Sequence, residues 1–578
     1  MNAERLLQHY EQIAYAPDAI ARLRRFILDL AVRGKLVPQS FGDEPASELL
    51  KRIAEEKARL LKAGEIRTPK PFSAVVDVPF SIPSNWSWTQ IAEIGIISPR
   101  NDAPDALEAS FVPMPLIAAE YGVVNGHEVR TWGEIKKGYT HFAEGDVGLA
   151  KITPCFENGK STVFRNLTGG IGSGTTELHV VRPLLVVADY ILLFWKSPHF
   201  IETGIPKMTG TAGQKRVPTD YFAYSPFPLP PLDEQHRIVA KVDELMALCD
   251  ELEAARTERE TKRDRLTAAS LARLNTPDPE TFRDAARFAL DALPALTARP
   301  DQIKQLRQTI LNLAVRGKLV PQDPSDEPAG ELLKRISSEK KRLMAEKGIR
   351  GQKPALPAEN FELDTDIPAT WQHVYLQDIA YQITDGTHLT PKYTETGKPF
   401  LSAQNVKPFR FMPGKHRFVS EQDFDSYRAN RRPERGDILL TRVGAGIGEA
   451  AVLDSDFEFA FYVSLCLIKV PTSCINVEYL VLWLNSPEGR DSSSSRTYGK
   501  GASQGNLNLG LIRTFKIPLP PLAEQNRIVA TVDELMALCD QLETSLASAD
   551  ETRKKLLDTL LAEALAPVDA DALQEAAE

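Results

Sequence analysis

The chain carries two copies of the same sequence blocks, and this internal duplication limits its possible folds more than any other feature. Residues 30–39 recur letter for letter as residues 313–322. A second block, residues 228–250, recurs with few changes as residues 518–540. A repeat period this large corresponds to a whole structural unit. The sequence therefore predicts two similar halves related by an internal pseudo-twofold axis.

Between the repeated blocks lie two variable segments, in which the halves agree only at scattered points. Both segments open with Ile-Pro-x-x-Trp, at 82–86 and 367–371, and both mix apolar strand-like and helix-like stretches. This mixture predicts an α+β fold in which two mixed α/β domains are separated by long antiparallel coiled-coil helices. The predicted divisions are a helical region at 1–68, a variable domain at 69–226, a helix at 227–274, a connector at 275–300, a helical region at 301–353, a variable domain at 354–516 and a helix at 517–578.

The repeated blocks have the apolar spacing of helices. Residues 22–32 are amphipathic and are followed by Gly34, where a left-handed helix stop is expected. In the later block, apolar residues step by four and three, which is a heptad seam that needs a second surface to bury it. Either each seam packs on its own domain or the two copies pair with each other, and the presence of two copies favours pairing. The seam consists of Ile238, Val242, Leu245, Cys249, Leu252, Ile528, Val532, Leu535, Cys539 and Leu542.

Composition and charge restrict the classes of function. The formal net charge is −9, so nucleic-acid binding would depend on local basic patches and not on an overall cationic chain. The five cysteines have neither zinc-site nor secreted-framework spacing, and we expect reduced thiols and no metal site. The longest apolar run, 184–195, is too short to cross the roughly 30 Å core of a bilayer. These features predict a cytoplasmic protein without a membrane segment.

Three near-matches to enzyme motifs are incomplete. Residues 154–161 nearly fit a phosphate-binding loop, but a proline occupies the first glycine position. The glycines at 444–448 lack dinucleotide-loop spacing. Asp105 with Glu134 and Lys136 resembles the carboxylate and lysine set of metal-dependent nucleases, but the second half has no equivalent. We predict no catalytic residue, while a nuclease or nucleotide-dependent enzyme, and a coiled-coil adaptor without DNA contact, stay open as alternatives.

The variable segments bring basic residues, glutamines and glycines together. Between residues 407 and 442 there are nine Lys or Arg against five Asp or Glu. Arginine suits phosphates and guanine edges, and glutamine can bond adenine. The alternatives are a solvated charged loop for the basic stretch, a loop-shaping role for the glutamines and a structural role for the histidine. The candidate DNA-contacting residues are Lys151, Lys160, Gln214, Lys215, Arg216, Thr387, His388, Arg428, Arg431, Arg432, Arg435, Arg442, Tyr498, Lys500 and Gln504.

These motifs resemble the specificity (S) subunits of type I restriction-modification systems, most closely the type IB (EcoAI-like) group. The resemblance lies in Pro-Leu-Pro-Pro-Leu-x-Glu-Gln-x-Arg-Ile-Val at 228–239 and 518–529, in the duplicated block at 30–39, and in the stretches 152–160 and 385–388. It implies two target-recognition domains, each reading one half of a split, asymmetric site in double-stranded DNA. The helices between them would fix the spacer length.

The resemblance also implies partners. Two methyltransferase (M) subunits would dock on the helices and use S-adenosylmethionine to methylate adenine. Two restriction (R) subunits would use ATP and Mg²⁺ in phage defence. The S chain itself would have no cofactor and no catalytic activity of its own.

Overall fold

The structure, a computed structural model, describes residues 15–16, 18–66, 75, 77–211, 213–275, 280–351, 354–355, 367–495 and 505–565. It divides into two compact units, one formed by Met1–Arg259 with Ala549–Glu578 and the other by Glu260–Ser548. Each unit contains one variable domain and the repeated helices that precede it. A 44-residue helix follows the first sheet-rich domain in the chain and precedes the second, which confirms the predicted α+β fold class.

The first unit alternates short helices and strands before its long helix. Its helices are α1 (Ala19–Val32), α2 (Ala46–Lys62), α3 (Ile91–Ile94), α4 (Trp132–Ile135), α5 (Ala188–Lys196), α6 (Pro198–Gly204), α7 (Thr219–Tyr224) and the start of α8 (Leu232–Asn275). Its strands are β1 (Ser87–Gln90), β2 (Gly95–Ile97), β3 (Glu108–Val112), β4 (Glu128–Thr131), β5 (Thr140–Ala143), β6 (Val147–Ala150), β7 (Ser161–Val163), β8 (Ile171–Gly174), β9 (Leu178–Pro183) and β10 (Pro226–Leu229).

The strands of the first unit form a two-stranded ribbon and two four-stranded sheets. In the ribbon, β1 and β10 pair antiparallel with Ser87 opposite Leu229. The sheets have the orders β2-β9-β6-β7 and β4-β3-β8-β5, and β3 and β8 run parallel. The apolar run seen in the sequence forms α5, whose residues 190–195 are all buried in the core of the unit. A helix that is apolar on every side is a core helix, which accounts for this run.

The second unit repeats this arrangement. Its helices are α9 (Phe282–Asp291), α10 (Leu293–Leu296), α11 (Pro300–Val315), α12 (Ala329–Glu346), α13 (Leu376–Ile379), α14 (Glu421–Arg428), α15 (Val477–Asn485), α16 (Pro487–Ser494), α17 (Leu509–Arg513) and most of α18 (Leu522–Leu565). Its strands are β11 (Gln372–Tyr375), β12 (Gln382–Asp385), β13 (Tyr393–Thr394), β14 (Lys398–Leu401), β15 (Val406–Lys407), β16 (Arg410–Phe411), β17 (Arg417–Val419), β18 (Ile438–Thr441), β19 (Ala450–Val452), β20 (Ala460–Phe461), β21 (Leu465–Lys469) and β22 (Lys516–Leu519).

The ribbon and one four-stranded sheet of the second unit match those of the first, whereas in the other sheet the parallel pair of strands lies at an edge instead of in the centre. β11 and β22 form the ribbon, the four-stranded sheets have the orders β12-β21-β18-β19 and β13-β17-β14-β20, and β14 runs parallel to β20. A separate hairpin pairs β15 with β16. The two halves are therefore two copies of one fold, as the duplicated sequence predicts.

The duplicated block at 30–39 ends a helix in the same way in both units. Gly34 follows α1 with φ +69°, and Gly317 follows α11 with φ +65°. A Cβ atom would lie 2.5 Å from the Pro83 ring at Gly34 and 2.4 Å from the Pro368 ring at Gly317. Both positions thus need glycine for its backbone conformation and for space. The predicted left-handed helix stop is confirmed.

Buried hydrogen bonds hold the proline-rich motif at the start of each long helix in place. The Gln235 side chain accepts a hydrogen bond from the Val187 amide and donates one to the Pro230 carbonyl, each at 2.9 Å. Gln525 does the same with Asn476 and Pro520, again at 2.9 Å. Since both glutamines are fully buried, these bonds fix the start of α8 and of α18 on the domain that precedes each helix.

The heptad seam is buried inside each unit. Ile238, Val242 and Cys249 lie in one hydrophobic core with residues of α1 and α5. Ile528, Val532 and Cys539 lie in the matching core with residues of α11 and α15. Of the two alternatives, these residues show packing on their own unit, because the apolar face of the repeated N-terminal helix supplies the surface that they need. Three further seam residues, Leu245, Leu535 and Leu542, are partly buried against the same cores. The remaining one, Leu252, is 37% exposed.

Each unit also includes the end of one long helix. In the first unit, Leu557 and Leu560 of α18 pack with Ala16 and Ala19 at the start of α1. In the second unit, the corresponding end of α8 packs against α9 and the region before α11. Across the described residues, no helix combines the length and apolar character needed to span a membrane.

Candidate nucleic-acid interface

Two loops of the first variable domain that carry candidate residues lie side by side. The Thr153 amide donates to the Lys215 carbonyl at 2.9 Å, and the Val217 amide donates to the Lys151 carbonyl at 2.8 Å. The glycine-containing loop itself closes through paired backbone bonds between Thr209 and Arg216. The structure therefore brings the stretch 151–160 and the loop 209–216 together, although they are far apart in the sequence.

The candidate residues in these two loops differ in whether their side chains are exposed or already bonded within the protein. Gln214 and Lys215 are exposed. Arg216 instead donates two hydrogen bonds to the Glu177 carboxylate, at 2.9 and 2.8 Å, and a third to the Gln214 carbonyl at 3.0 Å. The Arg216 guanidinium lowers the pKa of the Glu177 carboxyl, so both groups stay charged and neutralise each other. Arg216 thus shapes the loop that presents Gln214 and Lys215.

Two lysines in the same region donate hydrogen bonds to backbone carbonyls. Lys160 points its ammonium at the Met114 carbonyl, 3.3 Å away. Lys196, at the end of α5, donates to the carbonyls of Ala119 and Gly159 at 2.9 and 3.1 Å. Burial lowers the pKa of Lys196 to about 8. Lys196 was not among the predicted site residues, and the signal for it in the sequence is a lysine that closes an otherwise apolar run.

In the second variable domain, Arg442 is the centre of a buried network. Its guanidinium donates to Asp385 Oδ2 at 2.8 Å and to the Leu507 carbonyl at 3.0 Å, with further bonds to Val463 and Asn506. The Arg442 residue is 6% exposed. We therefore correct the prediction that Arg442 contacts DNA, because its donors are occupied inside the domain.

The loop after β12 depends on that network. His388 Nε2 lies 2.9 Å from Asp385 Oδ2, and the His388 side chain is 69% exposed. Thr387 is 5% exposed, and its amide donates to the Phe461 carbonyl. The prediction of direct DNA contact is corrected for Thr387, since it joins the loop to β20, whereas His388 remains at the surface.

The four arginines before β18 have unequal roles. Arg431 donates to the carbonyls of Asp385 and Gly386 at 3.1 and 2.5 Å and so supports the same loop. Arg428 and Arg432 share one oxygen of Glu458, at 3.2 and 3.1 Å, and these bonds lower the pKa of the Glu458 carboxyl. Of these four arginines, the exposed ones are Arg432, whose side chain is 67% exposed, and Arg435.

The remaining three candidates of the second domain, Tyr498, Lys500 and Gln504, lie outside the described residues. Their role stays a prediction. Gln214 is the described counterpart of Gln504 in the first domain.

The Gly-Asp motif that both halves share before a strand has a structural role. Asp146 accepts two hydrogen bonds from Arg182, at 2.8 and 2.9 Å, across the sheet of the first domain. Asp437 occupies the matching place and contacts Lys469 at 2.7 Å, and burial raises the pKa of Asp437 to about 6. Each carboxylate therefore anchors the start of its strand to a basic residue of the neighbouring strand.

The enzyme-like near-matches also have local structural partners. Asp105 forms an ion pair with Lys136, and the Asp105 side chain is 69% exposed. Glu134 accepts a hydrogen bond from the Thr131 amide at 3.0 Å and caps α4. Nowhere in the described ranges do three or more His, Cys, Asp or Glu residues form a group that could hold a metal ion.

Comparison with known proteins points to one family. The family model of the type I restriction modification DNA specificity domain, Methylase_S, matches residues 368–549. The EcoEI specificity subunit of Escherichia coli is 39% identical over 561 residues, which is 94% of each chain. The EcoAI specificity subunit of Escherichia coli is 38% identical over 559 residues, 94% of this chain and 93% of that one. A crystal structure of the HsdS subunit from Thermoanaerobacter tengcongensis has 19% identity and a TM-score of 0.43, covering 84% of this chain and 98% of that one.

These sequence similarities define a DNA specificity subunit of a type I restriction-modification system. The chain belongs to the family of type I restriction enzyme specificity subunits. Within it, the chain is similar to the EcoAI-like group that the sequence motifs indicate.

Proposed function

We propose that the chain recognises a two-part, asymmetric DNA sequence, with each variable domain reading one part. The observation that carries the proposal is that both units share the same buried framework while their surface loops differ. Gln235 and Gln525 make identical bonds, whereas the exposed Arg432 and His388 belong to loops without a matched sequence in the first domain. Two similar folds with unlike surfaces would dock on DNA alike and read different bases.

The charge distribution supports selective and not general DNA binding. The chain has a net charge of −9, and several candidate arginines are already paired with carboxylates or carbonyls. Among the candidate cations that the structure describes, Lys215, Arg432 and Arg435 are exposed and can meet phosphates. A small number of phosphate contacts gives a shallow dependence of affinity on salt.

We further propose that methyltransferase and restriction subunits bind this chain, and that they supply S-adenosylmethionine, ATP and Mg²⁺ chemistry in the cytoplasm. Support for a duplicated docking surface comes from the long helices. Leu248 on α8 and Leu538 on α18 occupy matching positions in the repeat and are 47% and 53% exposed. An apolar side chain exposed at the same place in both copies suits two identical partners.

Mapping of methylated adenines in the host DNA tests the recognition function. We expect a split sequence whose two halves differ. Exchange of residues 69–226 for the matching domain of a related chain should change one half of that sequence only. Changes in both halves, or no change, would contradict the assignment of one half-site to each domain.

A further inference from the structure

A cavity of about 330 Å³ opens in the second variable domain beside the sheet β13-β17-β14-β20. Three aromatic rings line it, those of Tyr393, Phe400 and Tyr462. The Phe400 ring centroid lies 6.1 Å from that of Tyr393 and 6.4 Å from that of Tyr462. Phe400 is 3% exposed and Tyr393 is 45% exposed, so the aromatic lining runs from the interior to the surface. The size is at the lower end for small-molecule pockets and suits one planar ring system.

The side chain of a cationic residue, Arg417, also lines this cavity. Arg417 lies directly opposite Phe400 in the β14–β17 ladder, and its guanidinium is 4.4 Å from the centroid of the Tyr393 ring. Arg417 is exposed, and in the part of the chain that the structure describes no carboxylate is paired with it. Its charge is therefore available to an anionic group at the cavity mouth.

Polar side chains complete the lining. Ser402 and Gln404 belong to the turn after β14, and Ser464 lies just before β21. The Ser464 hydroxyl accepts a hydrogen bond from the Ala403 amide at 3.1 Å, which holds the turn against the strand. Gln404 is exposed, and its carboxamide can both donate and accept. The edge of a nucleobase presents the complementary pattern of donors and acceptors.

The first variable domain offers a matched contrast. In the corresponding ladder, β3 with β4, the Arg130 guanidinium lies 4.1 Å from the centroid of the Phe111 ring. Arg130, however, donates to the Glu128 carboxylate at 2.6 Å. The arginine–aromatic pair is thus present in both domains, but only the cation of the second domain lacks a neighbouring carboxylate among the described residues.

We propose that the cavity of the second domain binds one nucleobase that has left the stack of the duplex. The base stacks on Tyr393 and Tyr462, its edge bonds to Gln404, and Arg417 meets its phosphate. Base–aromatic stacking tolerates any base, so selectivity comes from the polar edge and from the ease of extrusion. This inference rests on the proposed DNA recognition and adds the place where one base is held.

The test uses the full chain with the M subunits of its own system and duplexes carrying the mapped recognition sequence. Each base pair is replaced in turn by a mismatch, which lowers the cost of extruding a base, and the Kd is measured by fluorescence anisotropy. For one position we expect the mismatch to tighten binding about fivefold or more. Tyr393→Ala and Arg417→Ala should abolish this gain, whereas Tyr393→Phe, which keeps the ring, and Arg130→Ala should retain it.

Tyr393 and Arg417 are exposed, so these substitutions leave the core intact, and equal Tm values of the variants check this. The proposal is overturned if no mismatch tightens binding, or if the gain survives in both alanine variants. Failure of the DNA-recognition function gives a different result, because the wild-type chain would then bind the recognition sequence and a scrambled duplex equally.

Discussion

Arg237 donates two hydrogen bonds to the carboxylate of Asp43, over nitrogen–oxygen distances of 3.1 and 2.6 Å. Arg527 repeats the arrangement with Asp326, at 3.3 and 2.7 Å. In each unit the arginine comes from the motif that begins the long helix, and the aspartate from the loop after the first repeated helix. In both copies, the block that begins the long helix is therefore bonded to the loop that follows the first recurring block.

We predict that Asp43→Ala destabilises the first unit by about 1–3 kcal/mol, because it leaves the Arg237 guanidinium without its bidentate partner. The Asp43 side chain is 7% exposed and that of Arg237 is 38% exposed, so solvent screens this pair in part. Hydrogen exchange of peptides from 18–62 and 232–250 measures the loss. Lys51→Ala is the control, since its pair with Glu48 is exposed and should cost less than about 0.5 kcal/mol. Equal effects of the two substitutions would contradict the prediction.

The buried Lys196 should make the stability of the first unit depend on pH. Its pKa is about 8 in the folded chain and 10.5 as an ordinary lysine. Between these values the unfolded chain binds more protons than the folded chain, so the free energy of unfolding rises as pH increases from about 8 to 10.5. Urea unfolding at pH 8 and pH 10 measures the change, and Lys196→Met should reduce it. The exposed Lys207→Met serves as the control and should leave the pH dependence as in the wild type; a loss in both variants would rule out Lys196 as the source.

Arginines of the basic stretch should separate into two groups. Arg432→Ala and Arg435→Ala should each weaken DNA binding and reduce the slope of log Kd against log salt by about 1, if each meets one phosphate. Arg442→Ala should instead lower the Tm, because it removes the guanidinium that pairs with the buried Asp385 carboxylate. Binding titrations at several salt concentrations and thermal melts measure the two effects. A normal Tm for Arg442→Ala would show that the buried network contributes little.

The matching leucines on the long helices give a prediction about partner binding. Leu248→Asp should remove one M subunit from the complex, and Leu248→Asp with Leu538→Asp should remove both. Native mass spectrometry of the purified complex counts the M subunits. Leu290→Asp is the control, since Leu290 is 70% exposed on α9 outside the repeated block. Full M content in the double variant would place the docking surface elsewhere.

The internal duplication made the buried residues that both units share predictable from the sequence. Residues that hold a fold together stay the same when two copies diverge elsewhere, and Gln235 with Gln525 shows this directly. The glycine that ends the helix at Gly34 and at Gly317 was predictable for the same reason. At both positions the positive φ and the nearby proline ring exclude a residue with a side chain.

The partners of individual side chains were less predictable. The residues next to Arg442 in the sequence do not show whether its side chain faces solvent or a buried carboxylate. Its partner, Asp385, is distant in the sequence and becomes evident only in the structure. A heptad pattern likewise shows that Ile238 and Val242 need an apolar surface without showing which helix provides it. The cavity around Tyr393 could not be seen at all, since strands distant in sequence bring its walls together.

The first unit takes residues 549–565 from a part of the chain that is synthesised about 290 residues after Arg259. Leu557 and Leu560 then cover Ala16 and Ala19, and the Lys35 ammonium donates to the Leu565 carbonyl at 2.9 Å. A ribosome that stops before these residues releases a chain in which Ala16 and Ala19, at the start of α1, lack this cover. Premature termination would thus remove the contact by which the end of α18 completes a unit that is otherwise built from the first half of the chain.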